Sequence, residues 1–425
     1  MFFTLIDRAL SKIHHGRLHL DFGTIQRTYG NSLDELEATI TVHDPTFFRD
    51  VALRGEMGLG ESYVAQKWSS KNLPNLALVL QLNVDVFRPV MTGGTFVPFP
   101  KALFEWLTQR GLQRRRKTTR ENSRAGMAVS YDVGNDFFEI MLGPMMMYSC
   151  AIYPSDDVSL EVAQQHKLDV LMEKAELSDG QQVLDIGCGW GTLLRAIRSR
   201  HDCDVRGISL SQRQLEYCRK ALPEGRFEYR DYRELTEADA VDRIVSVGMI
   251  EHVGADQLEG FMHCVARLLK PGGKAVLHTM VGGDTLGIPA GKQLRSFSTK
   301  TIMPIGYVPN PEELTRAVVK TKRLSVVHAE RFGPHYGKTM RQWRDNVLDN
   351  RELIERRYSA EHVRVYDYVF GMAAACFTSG TFDLLQLVVQ NEPITNRAAV
   401  YDARARTAAS PHAADIERPL RTATA

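Results

Sequence analysis

The chain has 425 residues, of which 44% are apolar and 24% charged, and these values are ordinary for a globular protein of about two domains. It contains no run of about 18 apolar residues that would span a membrane, and its net charge of +2 excludes a strong overall field for nucleic acid. The 6 cysteines form no CxxC pair and the first residues lack the pattern of a secretory signal. We therefore expect a cytoplasmic protein without a metal site.

The first predicted element is an amphipathic helix at the amino terminus. Its apolar side chains fall largely on one helical face: Phe2, Phe3, Leu5, Ile6, Leu10 and Ile13. That face could lie in a membrane interface, or it could pack on the small domain that follows.

Residues 1–112 predict a small α+β domain with a core of its own. Alternating apolar residues predict strands at 16–22 and 37–44, and residues 47–70 predict a helix, a glycine turn and a second helix. Residues 113–127 are predicted to be a linker, because six cations crowd into "RRRKTTRENSR". Such a run is either a solvated linker or a contact for an anionic membrane surface.

Residues 128–400 predict a second domain in which strands and helices alternate. The predicted strands are apolar almost throughout: "QQVLDIGC", "CDVRGISL", "DRIVSVGMI" and "GKAVLHTMV". Helical spacing appears between them in "TLLRAIRSR" and "SQRQLEYCRKAL". This alternation predicts an α/β fold with a doubly wound, Rossmann-like sheet. The small and polar residues 401–425 predict a disordered tail.

A glycine turn follows the first of these strands in "LDIGCGWG", with Gly187, Gly189 and Gly191 at alternate positions. Such a turn could serve NAD, FAD or S-adenosylmethionine. The spacing differs from the GxGxxG of dinucleotide sites, and Asp185 would repel a pyrophosphate but attract a ligand with an ammonium group. These two details favour S-adenosylmethionine.

The next strand does not end in the acidic residue that commonly binds ribose hydroxyls. It ends in "SLSQRQ", so Gln214 is our candidate for that contact. Asp231, in the "RDYREL" segment, lies where an adenine would be bracketed. Both residues could instead be ordinary surface residues of a helix and a turn.

Polar residues also occur directly after one later apolar strand and inside another. Glu251 and His252 follow "DRIVSVGMI", at the sheet edge where ligands bind in this fold class. A helix cap would also explain them. His278 lies inside "GKAVLHTMV", where a buried histidine is either a site residue or a hydrogen-bonded core residue.

Seven ordered motifs together resemble the cyclopropane-fatty-acyl-phospholipid synthases and the related mycolic acid cyclopropane synthases. They are "YDVGNDFF", "MYSCAIY", "LDIGCGWG", "SLSQRQ", "RIVSVGMIEHVG", "LHT" and "PHYGKTMRQW". The resemblance is strong over residues 128–390, and the presence of an N-terminal domain is similar to the phospholipid-acting branch. It implies transfer of the methyl carbon of S-adenosylmethionine to a cis double bond of a phospholipid acyl chain, followed by ring closure.

The same resemblance implies two groups of site residues. The cofactor group is Tyr148, Ser149, Asp185, Gly187, Cys188, Gly189, Gly191, Ser209, Leu210, Ser211, Gln214, Asp231, Tyr232 and Arg233. The second group would hold a bicarbonate ion and consists of Glu251, His278 and Tyr336, with Cys150 and Met280 lending mainly backbone groups. Some family members carry a cysteine where this chain has Ala373, and we assign Cys376 no catalytic role. The resemblance further implies a homodimer in peripheral contact with the inner face of an anionic membrane.

Three other interpretations remain open. The product could be a methyl- or methylene-branched chain, the substrate could be a small soluble metabolite, or the protein could bind lipid without catalysis. Four methionines near "YSC" suit either a lipid entrance or core packing: Met141, Met145, Met146 and Met147.

Overall fold

The computed structural model describes residues 1–91 apart from 32 and 34, then 119, 121, 133–283, 297–302 and 306–392. All of the predicted tail at 401–425, and all of the linker at 113–127 apart from positions 119 and 121, lie outside these residues. Within the described ranges, no helix combines the length and the apolar character needed to cross a bilayer.

A four-stranded sheet lies near the amino terminus, in the order β2-β1-β3-β4. Its strands are β1 Arg17–Phe22, β2 Ile25–Gly30, β3 Glu37–Val42 and β4 Trp68–Ser69. β1 pairs antiparallel with β2 and parallel with β3. Leu18 and Leu20 of β1, and Ile40 and Val42 of β3, are buried at alternate positions, so one face of this sheet packs against helices.

Four helices accompany this sheet: α1 Phe2–Leu10, α2 Thr46–Val64, α3 Leu73–Leu82 and α4 Val84–Met91. The predicted helix, glycine turn and second helix are confirmed in α2, which bends at Gly55. The bend requires a φ of 57° and a ψ of −133°, a conformation that residues with a Cβ rarely adopt.

The apolar face of α1 is covered by protein. Ile6 and Leu10 are buried, as is Ile13 just beyond the helix, and the Phe3 ring contacts the edge of Phe48. The structure therefore favours the interpretation in which this helix packs on its own domain.

A seven-stranded sheet forms the centre of the second half, in the order β10-β11-β9-β8-β5-β6-β7. Its strands are β5 Gln182–Ile186, β6 Asp204–Ser209, β7 Arg226–Tyr229, β8 Val241–Val247, β9 Leu269–Gly282, β10 Leu324–Arg331 and β11 Phe382–Asn391. Neighbouring strands are parallel from β7 through β6, β5 and β8 to β9, and β11 runs antiparallel to both of its neighbours, β9 and β10. The predicted doubly wound sheet is confirmed. Its strand order reverses between β5 and β8, where open α/β sheets bind ligands.

Helices flank this sheet and extend beyond it. They are α5 Asn135–Leu142, α6 Leu160–Ala175, α7 Thr192–Arg200, α8 Gln212–Ala221, α9 Leu258–Leu268, α10 Phe297–Ile302, α11 Pro311–Lys320, α12 Gly333–Asp349, α13 Arg351–Arg357 and α14 Ala360–Thr378. A short 3-10 helix, Ile250–His252, follows β8 directly.

The expectation of an independent N-terminal core is wrong. One cluster of buried apolar residues runs from α1 through the N-terminal sheet to α12 and α14. Leu73 of α3 packs on Gly371 of α14 so closely that a Cβ there would come within 3.1 Å of Leu73 Cγ. The Tyr63 hydroxyl of α2 also donates a hydrogen bond to Asp367 of α14. The N-terminal layer is therefore packed as part of the same core.

A buried carboxylate joins α2 to the region after β9. Glu56 accepts a hydrogen bond from the Phe297 N–H at 2.5 Å and another from the Tyr368 hydroxyl at 3.3 Å. The Phe297 ring lies over Gly60, where a Cβ would come within 2.4 Å of the ring. Burial raises the pKa of Glu56 to about 7.

We expect Leu73→Ala to lower the free energy of unfolding by about 2–5 kcal/mol, because it opens a cavity in the shared core. Urea unfolding followed by circular dichroism measures this loss. Leu82→Ala is the matched control, since Leu82 lies on the same helix with 39% of its surface exposed and should change stability by about 0.5 kcal/mol or less. Equal unfolding midpoints for the two variants would contradict a core shared between the two halves.

Candidate active site

A cleft opens at the carboxyl ends of β5, β6 and β8 and encloses about 1110 Å³, part of it open to solvent. Every residue predicted to contact the cofactor lines this cleft, apart from Gly191 and Ser211. Those lining it are Tyr148, Ser149, Asp185, Gly187, Cys188, Gly189, Ser209, Leu210, Gln214, Asp231, Tyr232 and Arg233. Gly191 and Ser211 are instead the N-terminal caps of α7 and α8. The motifs thus converge on one place in the fold.

The glycine turn between β5 and α7 needs glycine for two different reasons. Gly187 and Gly189 have φ values of 88° and 53°, which side-chain-bearing residues rarely adopt. At Gly187 a Cβ would also come within 2.8 Å of the Met249 side chain. The turn can therefore bring bare backbone to the floor of the cleft.

Asp185 is a buried carboxylate at the end of β5. Only 3% of its surface is exposed, and its Oδ1 has no hydrogen-bond partner among the described residues. Burial raises its pKa to about 7. A cationic group entering the cleft would supply the counter-charge that this carboxylate lacks.

Gln214 points its amide into the same cleft from the first turn of α8. Its Oε1 accepts a hydrogen bond from the Ser209 hydroxyl at 3.0 Å, so the two N–H groups of the amide face away from Ser209. Ser211 caps α8 by accepting the Gln214 backbone N–H. This arrangement presents amide donors where many related folds present a carboxylate.

Asp231 and Arg233 stabilise the turn that follows β7. The Asp231 carboxylate accepts hydrogen bonds from the backbone N–H of Arg233 at 3.0 Å and from its guanidinium at 2.6 and 2.8 Å. The ring of Tyr232, between them, packs edge-on against Phe261 of α9. The turn is therefore held rigidly at one end of the cleft.

The residues predicted to hold bicarbonate lie outside the lining of this cleft. Glu251, in the 3-10 helix after β8, accepts the backbone N–H of Met280 of β9 at 2.7 Å through Oε1. Its Oε2 is buried without a partner among the described residues. Burial raises the pKa of Glu251 to about 7, although the Met280 N–H opposes the shift. The Met280 N–H is thus engaged with Glu251.

His278 lies two residues before Met280 on the same face of β9. Its Nδ1 is 3.1 Å from the side-chain nitrogen of Gln386 on β11, and its Nε2 is buried without a partner in the described part of the chain. Burial lowers the pKa of His278, and the charges of Lys167 and Lys174 lower it further. The imidazole is therefore neutral near pH 7.

α12 connects the "YSC" segment to the β9–β11 pair. Thr339 accepts the backbone N–H of Ala151, next to the fully buried Cys150, at 3.1 Å. Tyr336 lies one turn earlier on α12, with its ring against Phe377. The start of the helix is anchored on β11, because the Phe332 N–H donates to the Leu384 carbonyl at 2.8 Å. The helix that carries Tyr336 therefore contacts both Ala151, next to Cys150, and β11, where Leu384 pairs with Met280.

Lys167 of α6 is a buried site residue that the motifs did not identify. Its side chain is fully buried, it donates to the Ser149 hydroxyl at 2.8 Å, and it forms no ion pair with a described residue. Burial lowers its pKa to about 7. Gln164 also donates to the Ser149 carbonyl at 3.0 Å. The sequence could have identified Lys167 and Gln164, because these polar residues fall on the otherwise apolar face of their helix.

The methionine-rich segment divides between two environments. Met141 is fully buried in the core, whereas Met146 and Met147 line the cleft. Trp190, Met249 and His252 also line it. Apolar side chains therefore form much of the wall beside the glycine turn.

Comparisons with known proteins identify similar chains. The mycolic acid cyclopropane synthetase family profile matches residues 117–387. The cyclopropane-fatty-acyl-phospholipid synthase of Escherichia coli is 32% identical over 83% of this chain and 87% of its own length. The tuberculostearic acid methyltransferase UfaA1 of Mycobacterium tuberculosis is 28% identical, with 86% of each chain covered. The crystal structure of mycolic acid cyclopropane synthase CmaA1 complexed with SAH and CTAB has 29% identity and a TM-score of 0.58, covering 63% of this chain and 98% of that one.

The raised pKa of Asp185 predicts pH-dependent binding of S-adenosylmethionine. Below pH 7 a cationic ligand must displace the proton on this carboxyl, so affinity should rise with pH to about 7 and then level off. Asp185→Asn should weaken binding about 10- to 100-fold and flatten this pH dependence, since a charged hydrogen bond contributes about 1.5–3 kcal/mol. Isothermal titration calorimetry between pH 5.5 and 8.5, a range of about 1.5 units on each side of 7, measures both effects.

Glu251→Gln is the control for this measurement, because Glu251 also titrates near pH 7 but lies outside the cleft lining. It should retain the pH dependence of the wild type. An Asp185→Asn variant whose affinity still rises with pH would contradict the role of Asp185.

Proposed function

The chain belongs to the mycolic acid cyclopropane synthetase family, and from this premise we propose that it converts a cis double bond in a membrane phospholipid acyl chain into a cyclopropane ring. It is an S-adenosylmethionine-dependent methyltransferase that modifies lipids. The observation that carries the proposal is that a cleft for a cationic ligand is accompanied by two buried polar atoms without partners in the described ranges, Glu251 Oε2 and His278 Nε2, which we call the catalytic cluster. Simple methyl transfer needs only the cleft.

The extent of the similarity supports a phospholipid as the substrate. The match to the E. coli phospholipid-acting relative covers more of this chain than the match to CmaA1 does. At 354 residues the E. coli match is too long to lie within 117–425, so it extends into the part of the chain that includes the N-terminal layer, which shares its core with α12 and α14. A layer packed in this way can take part in presenting a bilayer lipid to the active site.

We propose the following roles for the cleft residues. Asp185 binds the ammonium group of S-adenosylmethionine, Gln214 binds the ribose, and the Asp231–Arg233 turn brackets the adenine. Tyr148 and Ser149 of "YSC" contact the methionine moiety. An isolated alkene is a weak nucleophile, so alignment of the methyl carbon with its π face is the main catalytic device, and such alignment can lower a barrier by roughly 7–11 kcal/mol.

The attack of an alkene leaves a carbocation, and ring closure then requires a base. Glu251 Oε2 and His278 Nε2 are buried polar atoms without partners in the described part of the chain. An acceptor and a ring nitrogen of this kind fit bicarbonate, which has one O–H donor and acceptor oxygens. Bound there, bicarbonate would supply the base that removes a proton from the transferred methyl group.

The surrounding residues support an anion at this position. The positive charge of Lys167 reaches His278, and Lys167 itself has no carboxylate partner in the described ranges. Glu251 accepts the O–H of the anion, His278 and Tyr336 donate to its oxygens, and the Cys150 and Met280 segments hold these groups in place. Buried apolar side chains exclude the water that would quench a carbocation.

A second product type is a methyl- or methylene-branched acyl chain. The similarity to UfaA1 favours this product, because that relative is a tuberculostearic acid methyltransferase and its match covers 86% of this chain. Methyl transfer is common to both outcomes, and the fate of the carbocation distinguishes them.

We also propose the organisation of the whole chain. Residues 1–112 form a lipid-associated N-terminal domain that shares its core with the catalytic domain at 128–400. The basic residues 113–127 form a linker in contact with anionic membrane, and residues 401–425 form a tail. The protein would act as a homodimer on the cytoplasmic face of the membrane. Binding to vesicles with and without anionic lipid tests the membrane contact.

Incubation with unsaturated phospholipid vesicles and S-adenosylmethionine bearing a fully deuterated methyl group should give a lipid that keeps two of the three deuterium atoms. Ring closure removes one deuterium, and the product should resist catalytic hydrogenation because it has no double bond. Mass spectrometry of the extracted lipids measures both properties. Retention of all three deuterium atoms would instead establish a methyl-branched chain, formed as an alkene when the proton leaves a chain carbon. A hydrogenation-sensitive product with two deuterium atoms would establish the methylene branch.

Glu251→Gln should retain S-adenosylmethionine binding and lower kcat roughly 100-fold, because the amide cannot replace an anionic acceptor in proton transfer. In the wild type, kcat should rise as the pH increases through about 7, because Glu251 must be ionised to accept the hydrogen bond from the O–H of the bound anion. Steady-state kinetics together with calorimetry measure these effects. Loss of cofactor binding in a folded variant would contradict the assigned role.

A further inference from the structure

We propose that Lys174 and Gln386 form a hydrogen-bond relay that fixes His278 as an N–H donor at Nε2. The relay identifies two positioning residues for the catalytic cluster and rests on the proposed function, in which His278 donates to a bound anion. Neither residue lines the S-adenosylmethionine cleft.

The geometry of the sheet places the three side chains in a row. Gln386 of β11 lies directly opposite His278 of β9 in the antiparallel ladder. Lys174 near the end of α6 donates to Gln386 Oε1 at 2.5 Å, and Gln386 Nε2 lies 3.1 Å from His278 Nδ1. Gln386 is fully buried, so the partners of its amide are protein groups and not solvent.

The direction of each hydrogen bond follows from the chemistry of Lys174. An ammonium group has donors only, so the atom facing it must be the amide oxygen of Gln386. The amide nitrogen must then face His278, and since it too is a donor, Nδ1 has to accept. The single proton of the neutral imidazole is therefore on Nε2.

The ion pair on the far side of Lys174 keeps this order fixed. Lys174 also donates to Glu330 of β10, and its ammonium lies 5.0 Å from the centre of the Phe332 ring. Both are contacts that the N–H donors of a lysine side chain make. A rotated Gln386 amide would place two donors face to face and leave Nδ1 opposite an oxygen, so the observed orientation is the stable one.

The relay decides what His278 can do in the reaction. With Nδ1 engaged and Nε2 protonated, the imidazole has no lone pair to offer to the cluster. It therefore cannot remove the proton from the transferred methyl group. It can only donate a hydrogen bond, which leaves the base to another group and matches a site built to hold an anion.

Gln386→Glu tests the relay by reversing its direction. A carboxylate at this position accepts from both Lys174 and His278, so the ring proton should move to Nδ1 and leave a lone pair at Nε2. Long-range ¹H–¹⁵N NMR of protein with ¹⁵N-labelled histidine rings reports the tautomer, and the His278 signal is identified by its loss in His278→Gln. We expect an Nε2-protonated ring in the wild type and an Nδ1-protonated ring in the variant.

The kcat of each variant should depend on the tautomer of His278. Loss of one preorganised donor to an anion costs about 100-fold or more in kcat, and we expect a loss of this size in Gln386→Glu with an unchanged affinity for S-adenosylmethionine. Lys174→Met should give a partial loss, because the amide is then free to rotate, whereas Lys174→Arg should restore activity by restoring a donor to Oε1. Gln390→Glu is the matched control on the same strand, because the side chain of Gln390 donates to the Gly272 carbonyl at 3.4 Å and lies opposite Lys274 rather than His278.

An Nδ1-protonated His278 in the wild type, or a tautomer unchanged by Gln386→Glu, would overturn the relay. A changed tautomer with normal kcat would overturn its part in catalysis. If Gln386→Glu does not fold, the Lys174 pair gives the same tests with substitutions nearer the surface. Failure of the proposed function appears separately, as absence of a ring product from the wild-type enzyme, and leaves the NMR result unaffected.

Discussion

The free-energy cost of burying ionisable groups governs the carboxyl edge of the seven-stranded sheet. Burial raises the pKa values of Asp185 and Glu251 and lowers those of Lys167 and His278, so each group is driven toward its neutral form. Such an arrangement is unfavourable for an isolated chain, because buried polar atoms need partners. It becomes favourable when ligands of opposite charge arrive. A cationic ligand in the cleft would complete these hydrogen bonds, and we propose that an anion does so at Glu251 and His278.

The same constraint explains why the cleft and the cluster are separate. A cationic methyl donor suits the carboxylate at the end of β5, and we propose that an anion binds the unpaired atoms near β9, where it would favour the charged form of Lys167. Ser149 lies between them, since it lines the cleft and accepts from Lys167. The reacting carbon would lie where the two regions meet, shielded from water by buried aromatic and aliphatic residues.

The shared core gives the N-terminal layer a direct link to this region. α2 packs Gly60 against Phe297, and Glu56 holds the backbone of that residue by a hydrogen bond. Sequence predicted the bend in α2, because helical periodicity is interrupted by glycines. The sequence could not predict that Phe297 packs there, because a glycine indicates that another group approaches closely without identifying that group. For the same reason the expectation of an independent core was wrong.

The sequence by itself determined the doubly wound sheet, the glycine turn and the position of Asp185, Glu251 and His278 at or near strand ends, because these features depend on local periodicity and on backbone conformations open to glycine. Only the tertiary structure decided that Lys167 faces Ser149 and that Gln386 faces His278. Gln386 is 108 residues from His278 along the chain. Their contact depends on the register of β11 against β9, which arises from the packing of the whole sheet, and no local pattern encodes it.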